Sequence, residues 1–165
     1  MLGGVPYLVF ELDGQRYGVA AGVVREVTRA VHTIPVPGVL PHVEGALDYH
    51  GEIVAALDVR RRFGLPPRPV ALTDHLIFAV ADARTVALRV DGAVGISEIP
   101  QAEVTPVTGG LAGALPDALA GAQPVAGIAR TPDGLVLIHD LATFLSDAEA
   151  RELALALAQI EPTAP

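Results

Sequence analysis

The chain repeats itself in outline, and a repeat this short narrows the folds open to it. Val43, Gly45, Gly51, Ile53, Val54, Leu57, Asp58 and Phe63 recur as Val125, Gly127, Gly134, Leu135, Val136, Ile138, Asp140 and Phe144. Gly45 leads Asp58 by the same interval that separates Gly127 from Asp140, and upstream Leu8, Val9 and Phe10 match Leu76, Ile77 and Phe78 at one constant offset. A single copy is too short to bury its apolar surface well, so the two copies are expected to pack against each other.

The core they share must be aliphatic. Hydrophobic residues make up 51% of the 165-residue chain and aromatics only 4%, which leaves Val, Leu, Ile and Ala as the filling. The abundance of Val favours strands over helices. All basic residues are Arg, with no Lys, and the net charge is −8. An acidic surface repels phosphate backbones and anionic lipid, so nucleic acid is not an expected partner. The lack of Lys removes P-loop and Schiff-base chemistry. The lack of Cys removes disulfides, thiolate nucleophiles and thiolate metal sites, and is compatible with a reducing cytoplasm. Residues 1–10 do not read as a secretion signal, and no apolar run approaches the ~20 residues of a membrane span. The expectation is a cytoplasmic protein without direct membrane insertion.

Turn chemistry sets the coarse layout. Residues 7–12 and 16–20 flank Asp13 and Gly14, a dipeptide suited to positive φ, and read as a β-hairpin. Residues 23–27 read as a helical turn followed by a strand, and Pro35, Pro37 and Pro41 then forbid regular structure until Val43. Residues 45–50 and 52–57, hinged at Gly51, form a second hairpin. Asp58 is expected to cap a short helix over 59–63, with Arg60, Arg61 and Arg62 facing water and Gly64 ending it. Residues 65–70 connect the copies. The second copy opens with strands over 75–80 and 85–90 around a turn at 82–84, then a strand over 93–99. A Gly, Ala and Pro rich surface loop follows Pro100 as far as Gly121, with a short helix at 117–120. Residues 125–129 and 135–139 form a hairpin about Pro132, Asp133 and Gly134. Ser146 and Glu149 make a capping box for a C-terminal helix over 146–160, with Leu153 and Leu157 on one face and Leu155 outside it. Residues 161–165 are expected to be a disordered tail.

Little of this sequence offers reactive chemistry. Ser97 and Ser146 sit in no nucleophile elbow. His32, His42, His50, His75 and His139 lack metal-ligand spacing, so no metal or cofactor is expected. His139 beside Asp140 invites an acid/base reading, but Asp140 holds the place of Asp58 in its repeat, where helix capping explains it. Gly109, Gly110 and Gly113 do not form a nucleotide cradle. The Arg60 to Arg62 run reads as a solvated face, or as a place where an acidic partner docks.

In their order, several segments resemble the CheW family, the coupling proteins of bacterial chemotaxis: F-E-L-D-G-Q-R-Y-G-V from Phe10, V-R-E-V from Val24, Pro35-Val36-Pro37, G-x-x-x-x-x-G-E-I-V from Gly45, L-D-V-R-R-R-F-G-L from Leu57 and V-D-G-A-V-G-I from Val90. The resemblance implies a mainly all-β fold of two intertwined five-stranded SH3-like barrels with short helices and a C-terminal helix. The domain would span 6–145, with sequence copies over about 6–64 and 74–145. It implies no enzymatic activity, but an adaptor that bridges the cytoplasmic tip of methyl-accepting chemoreceptors to the regulatory domain of a CheA-type histidine kinase, reaching the membrane only through receptor arrays. Val24, Glu26 and Val27 fall where the family meets the kinase. Leu47, His50, Ile53 and Val54 fall near the apolar receptor groove between the barrels, although each apolar member reads equally as ordinary core. The chain departs from the family in carrying Asp48, Tyr49 and His50 where Asn-x-Arg is usual, and Ala55 where Pro is usual. His50 thereby replaces a fixed charge and a fork of donors with one titratable ring. Two other readings remain: a small β-barrel, hydrolase-like enzyme using His139 with Asp140 or His50, and a self-associating module that has lost receptor coupling.

Overall fold

The computed structural model describes residues 4–35, 43–66, 68–81, 84–106 and 125–141, with Arg151, Leu153, Leu155, Leu157 and Ala158. The first hairpin pairs β1 (Val5–Leu12) with β2 (Gln15–Ala20). Asp13 and Gly14 both have positive φ, 53° and 80°, the two-residue turn whose twist matches that of the flanking strands. A 3-10 turn at Ala21–Val23 leads into β3 (Val24–Arg29). The second hairpin joins β4 (Val43–Tyr49) and β5 (Glu52–Asp58) through His50 and Gly51, again both at positive φ, 51° and 86°.

Asp58 then caps α1 (Val59–Arg62), accepting a hydrogen bond from the Arg61 amide at 3.4 Å, as the sequence implies. One expectation fails here: Arg60 does not face water but is buried at 6% exposure, because it points back from the helix toward carboxylates on other segments.

The second copy supplies β6 (His75–Ala81), β7 (Arg84–Val90) and β8 (Gly92–Ile99). A 3-10 turn at Gln101–Glu103 and β9 (Val104–Pro106) occupy the start of the stretch expected to be loop. β9 forms because its backbone pairs with β10, a tertiary contact that its own three residues do not announce. β10 (Val125–Thr131) and β11 (Gly134–His139) complete the strands. His42, Pro37, Pro41, most of the turn at 82–84, Gly109, Gly110, Gly113, the helix at 117–120, Phe144, the capping box and residues 161–165 lie outside the described residues.

The strands form two sheets, ordered β8-β1-β2-β11-β10-β9 and β3-β6-β7-β5-β4. The first hairpin thus joins the last strands of the chain, and the first hairpin of the second copy joins β3, β4 and β5. Within each sheet one pairing is parallel, β2 with β11 and β5 with β7, and these are equivalent places in the repeat. The barrels are intertwined by an exchange of hairpins between the copies.

Strand periodicity sorts the side chains into three cores. Along β5, Ala55 and Leu57 enter a central core between the sheets while Val54 and Ala56 turn the other way. On β6, Ile77 and Ala79 alternate likewise with Leu76 and Phe78. Both faces being buried, these strands read as nearly continuous apolar runs. The central core collects the scarce aromatics: Tyr17 lies 5.8 Å from Phe10 and 5.1 Å from Phe63, ring centre to ring centre. Burial, and secondarily the charge of Asp13, push the Tyr17 phenol up to about 12, so it packs as a neutral ring. Leu153 and Leu157 of the C-terminal segment also enter this core, while Leu155 is exposed.

Candidate interaction site

β3 is an outer strand, and a bulge makes Arg25 the extra residue between the pairs Val24 with Ala79 and Glu26 with Phe78. The bulge aims Arg25 and Glu26 at the β4–β5 turn, so the two outer strands of this sheet meet and the sheet curls toward closure. Tyr49 is the hub of that meeting. Its ring stacks on Phe78 at 4.1 Å, and the Arg25 guanidinium lies 5.6 Å from its centre. Its hydroxyl donates to Glu26 Oε1 at 3.1 Å. His50 Nε2 lies 3.3 Å from the same oxygen, and its ring meets the Tyr49 ring edge-on. Burial first, and then donation to the Glu26 carboxylate, hold the Tyr49 hydroxyl above the ordinary phenol range. Asp48 Oδ1 accepts from the Gly51 amide at 2.8 Å and fixes the turn from behind.

Two groups that the sequence assigns to different faces, Glu26 and His50, are therefore in contact. The other assigned residues spread differently. Leu47 and Val54 are register partners across the hairpin and are 9% and 1% exposed, inside the second sheet's own core. Ile53, Val24 and Val27 are half-buried against the central core. Val27 also lines a concavity of about 350 Å³ between the two sheets, with Leu8, Arg29, His75, Ala93 and Val94. Outer strands β3 and β8 flank it, and the Ala93 amide donates to His75 Nδ1 at 3.4 Å across it. Val94 and Ile96 continue its apolar character along β8 at 48% and 61% exposure.

Sequence reasoning missed a charged network that includes Asp74, the residue before His75. Arg89, buried on β7, donates Nη1 to Asp74 and Nη2 to Asp58, each at 3.0 Å, and Nε to Glu44. Arg68 Nη2 reaches Asp74 at 2.6 Å and Asp91 at 2.8 Å. Burial alone would raise the Asp74 carboxyl, but hydrogen bonds from Arg68 and the Ala71 amide, helped by Arg89, hold it below the usual range. A concavity of about 560 Å³ opens over this network, its lining including Glu44, Asp58, Arg61, Arg68 and Arg89. All five are committed to ion pairs with one another or with Asp74 and Asp91. Only long-range pairing reveals this; single positions in the sequence carry no sign of it.

His139 is buried at 2% exposure, with its ring stacked 4.5 Å from Phe63 and 5.7 Å from Tyr17, while the neighbouring Asp140 is exposed. His50 stands at a hairpin tip of the other sheet. The enzyme reading needed these groups to converge in a cleft; His139 instead serves as an aromatic core residue. Among the described residues no group of three or more His, Asp or Glu is placed to hold a metal ion, and no helix is long and apolar enough to cross a membrane.

Comparison with known proteins agrees with this architecture. The family model of the CheW-like domain matches residues 6–149. The chemotaxis protein CheW of Bacillus subtilis (strain 168) is 24% identical over 101 residues, which cover 61% of this chain and 65% of that protein. The chain thus spans 65% of the length of that curated relative. Among solved structures, the scaffolding protein TtCheW of Thermoanaerobacter tengcongensis superposes with a TM-score of 0.75 at 23% identity, over 88% of this chain and 95% of its own. At that identity the likeness is one of fold.

Proposed function

This chain belongs to the CheW-like domain family, and from that membership we propose that it is a non-catalytic adaptor joining a CheA-type histidine kinase to the cytoplasmic tip of a chemoreceptor. The observation that carries the reading is the corner built by Glu26, Tyr49 and His50 on an outer strand. Its polar groups are held in place by mutual hydrogen bonds rather than aimed at a substrate. A rigid, partly exposed cluster beside half-buried aliphatic anchors is what a protein contact uses, because little side-chain freedom is lost on docking.

The kinase face comprises Val24, Glu26 and Val27 on β3. The receptor contact uses the concavity between the sheets together with His50 and Ile53, while Leu47 and Val54 support the hairpin from the opposite face of its sheet. A helical hairpin tip laid into that concavity is a helix-in-groove contact anchored by aliphatic side chains. His50 presents one ring nitrogen to Glu26 where an arginine would offer a fork, so the receptor recognised differs in its charged contacts from that of family members with the usual Arg.

The test is calorimetric titration of the purified chain with the regulatory domain of the cognate kinase and with a receptor-tip fragment. Glu26→Arg is expected to weaken kinase binding by at least about tenfold, about 1.4 kcal/mol, without unfolding the protein. Absence of binding to both partners by the parent protein defeats the adaptor reading.

A further inference from the structure

Arg60 is buried at 6% exposure, yet the sequence places it in a run of three arginines where water exposure is the simple expectation. Each of its nitrogens is engaged. Nη2 meets Asp13 in the β1–β2 turn at 3.1 Å, Nη1 meets Asp91 between β7 and β8 at 2.6 Å, and Nε donates to the Pro66 carbonyl at 2.9 Å. Asp91 also accepts from the Asp13 amide at 2.8 Å and, through its other oxygen, from Arg68 at 2.8 Å. Arg68 continues to Asp74, which directly precedes β6.

The chain of charges Asp13, Arg60, Asp91, Arg68, Asp74 therefore runs from a turn of one sheet, through the strand-to-strand crossing, to the root of the other. Apolar burial is non-directional, so by itself it specifies the relative placement of two sheets less sharply than directed polar contacts do. Guanidinium forks on carboxylates are directed, and a buried charge left without its partner is costly, so the chain favours a single relative placement. Two of its carboxylates adjoin the concavity between the sheets in sequence: Asp74 precedes His75, and Asp91 lies two positions before Ala93, both lining residues.

We propose that this chain of ion pairs is a clasp that fixes the separation of the two sheets and thereby the width of the concavity between β3 and β8. Its geometric effect stands by itself; its consequence for partner choice rests on the adaptor reading, with the concavity as the seat of a helical segment. Asp91 is the central link and Asp13 the exposed end, and both act by positioning the walls.

The chain has no cysteine, so a cysteine pair at Arg29 on β3 and Val94 on β8, both exposed and both lining the concavity, can carry spin labels for distance measurement by pulsed electron resonance. The clasp predicts one narrow distance distribution in the otherwise unchanged protein, a distribution about twice as broad in Asp91→Asn, and an intermediate one in Asp13→Asn. In label-free protein, Asp91→Asn should lower affinity for the receptor-tip fragment about tenfold. An unchanged distribution in both folded variants overturns the clasp. Should Asp91→Asn fail to fold, Asp13→Asn decides alone, an unchanged distribution again overturning it. A broadened distribution supports the clasp even where the fragment binds no form of the protein, a result that counts instead against the adaptor reading.

Discussion

His50 occupies a backbone conformation, φ 51°, that a β-carbon disfavours, next to Gly51 at φ 86°. The matching position in the first hairpin is Asp13, φ 53°; His and Asp are both among the side chains that enter this region more readily than most. A left-handed residue other than glycine costs about 1 kcal/mol, while the exposed contact of His50 with Glu26 stabilises by less than that. His50→Gly is therefore expected to raise stability by up to about 1 kcal/mol, or ~2–4 °C in Tm, and to weaken partner binding by loosening Glu26. Thermal scans paired with calorimetry check both signs, and a lower Tm would mean that the Glu26, Tyr49 and His50 contacts hold the turn closed. Reading single residues from sequence worked for Asp58, because capping is local. It failed for Arg60, whose partners Asp13 and Asp91 lie 47 and 31 positions away.

The repeated glycines acquire a physical reason at the level of strands. Gly45 and Gly127 both sit at register shifts, in β4 against β5 and in β10 against β11. At each, another segment comes against the backbone: Ile34 bridges to Ala46, and β9 pairs with β10. A β-carbon on Gly45 would lie 2.5 Å from the Ile34 carbonyl oxygen, whereas one on Gly127 would lie 3.1 Å from a Val104 methyl and 3.2 Å from the Thr105 oxygen. Backbone cannot yield as a methyl group can. Gly45→Ala should cost about 2–4 kcal/mol and Gly127→Ala less than about 1.5 kcal/mol, a difference read directly from urea midpoints. Equal costs would mean that the close approach is not what requires glycine. The hairpins were legible in sequence because Asp13-Gly14, His50-Gly51 and Asp133-Gly134 punctuate alternating apolar runs. β9 was not, since Val104–Pro106 carries a proline and becomes a strand only by pairing with β10.

The exchange of hairpins decides how the whole molecule is held together. Among the described residues, β1 and β2 of the first copy pair outside their own hairpin only with β8 and β11, and β3 pairs only with β6. In the second copy, β6 and β7 depend on β3 and β5. Split at the repeat boundary, the first half keeps only its two hairpins and the second keeps one hairpin and the three-stranded set β9-β10-β11, so neither holds a whole sheet, and an isolated two-stranded hairpin is marginal in water. The duplication was visible in sequence, but which strand joins which sheet was not, because both arrangements bury the same apolar pattern. Charge breaks that degeneracy: Arg60 of the first copy needs Asp91 of the second, and Arg89 of the second needs Asp58 and Glu44 of the first. Two identical first halves would bring Arg60 together with no Asp91, leaving a buried guanidinium short of a carboxylate, at a penalty of roughly 3–5 kcal/mol. Fragments 1–66 and 68–165 are therefore expected to be unfolded alone and to fold on mixing as a one-to-one complex whose stability rises with concentration. Circular dichroism and sedimentation of each fragment and of the mixture provide the check. A folded homodimer of either fragment would show that apolar patterning alone directs the exchange, and that the ion pairs between copies do not select the partner.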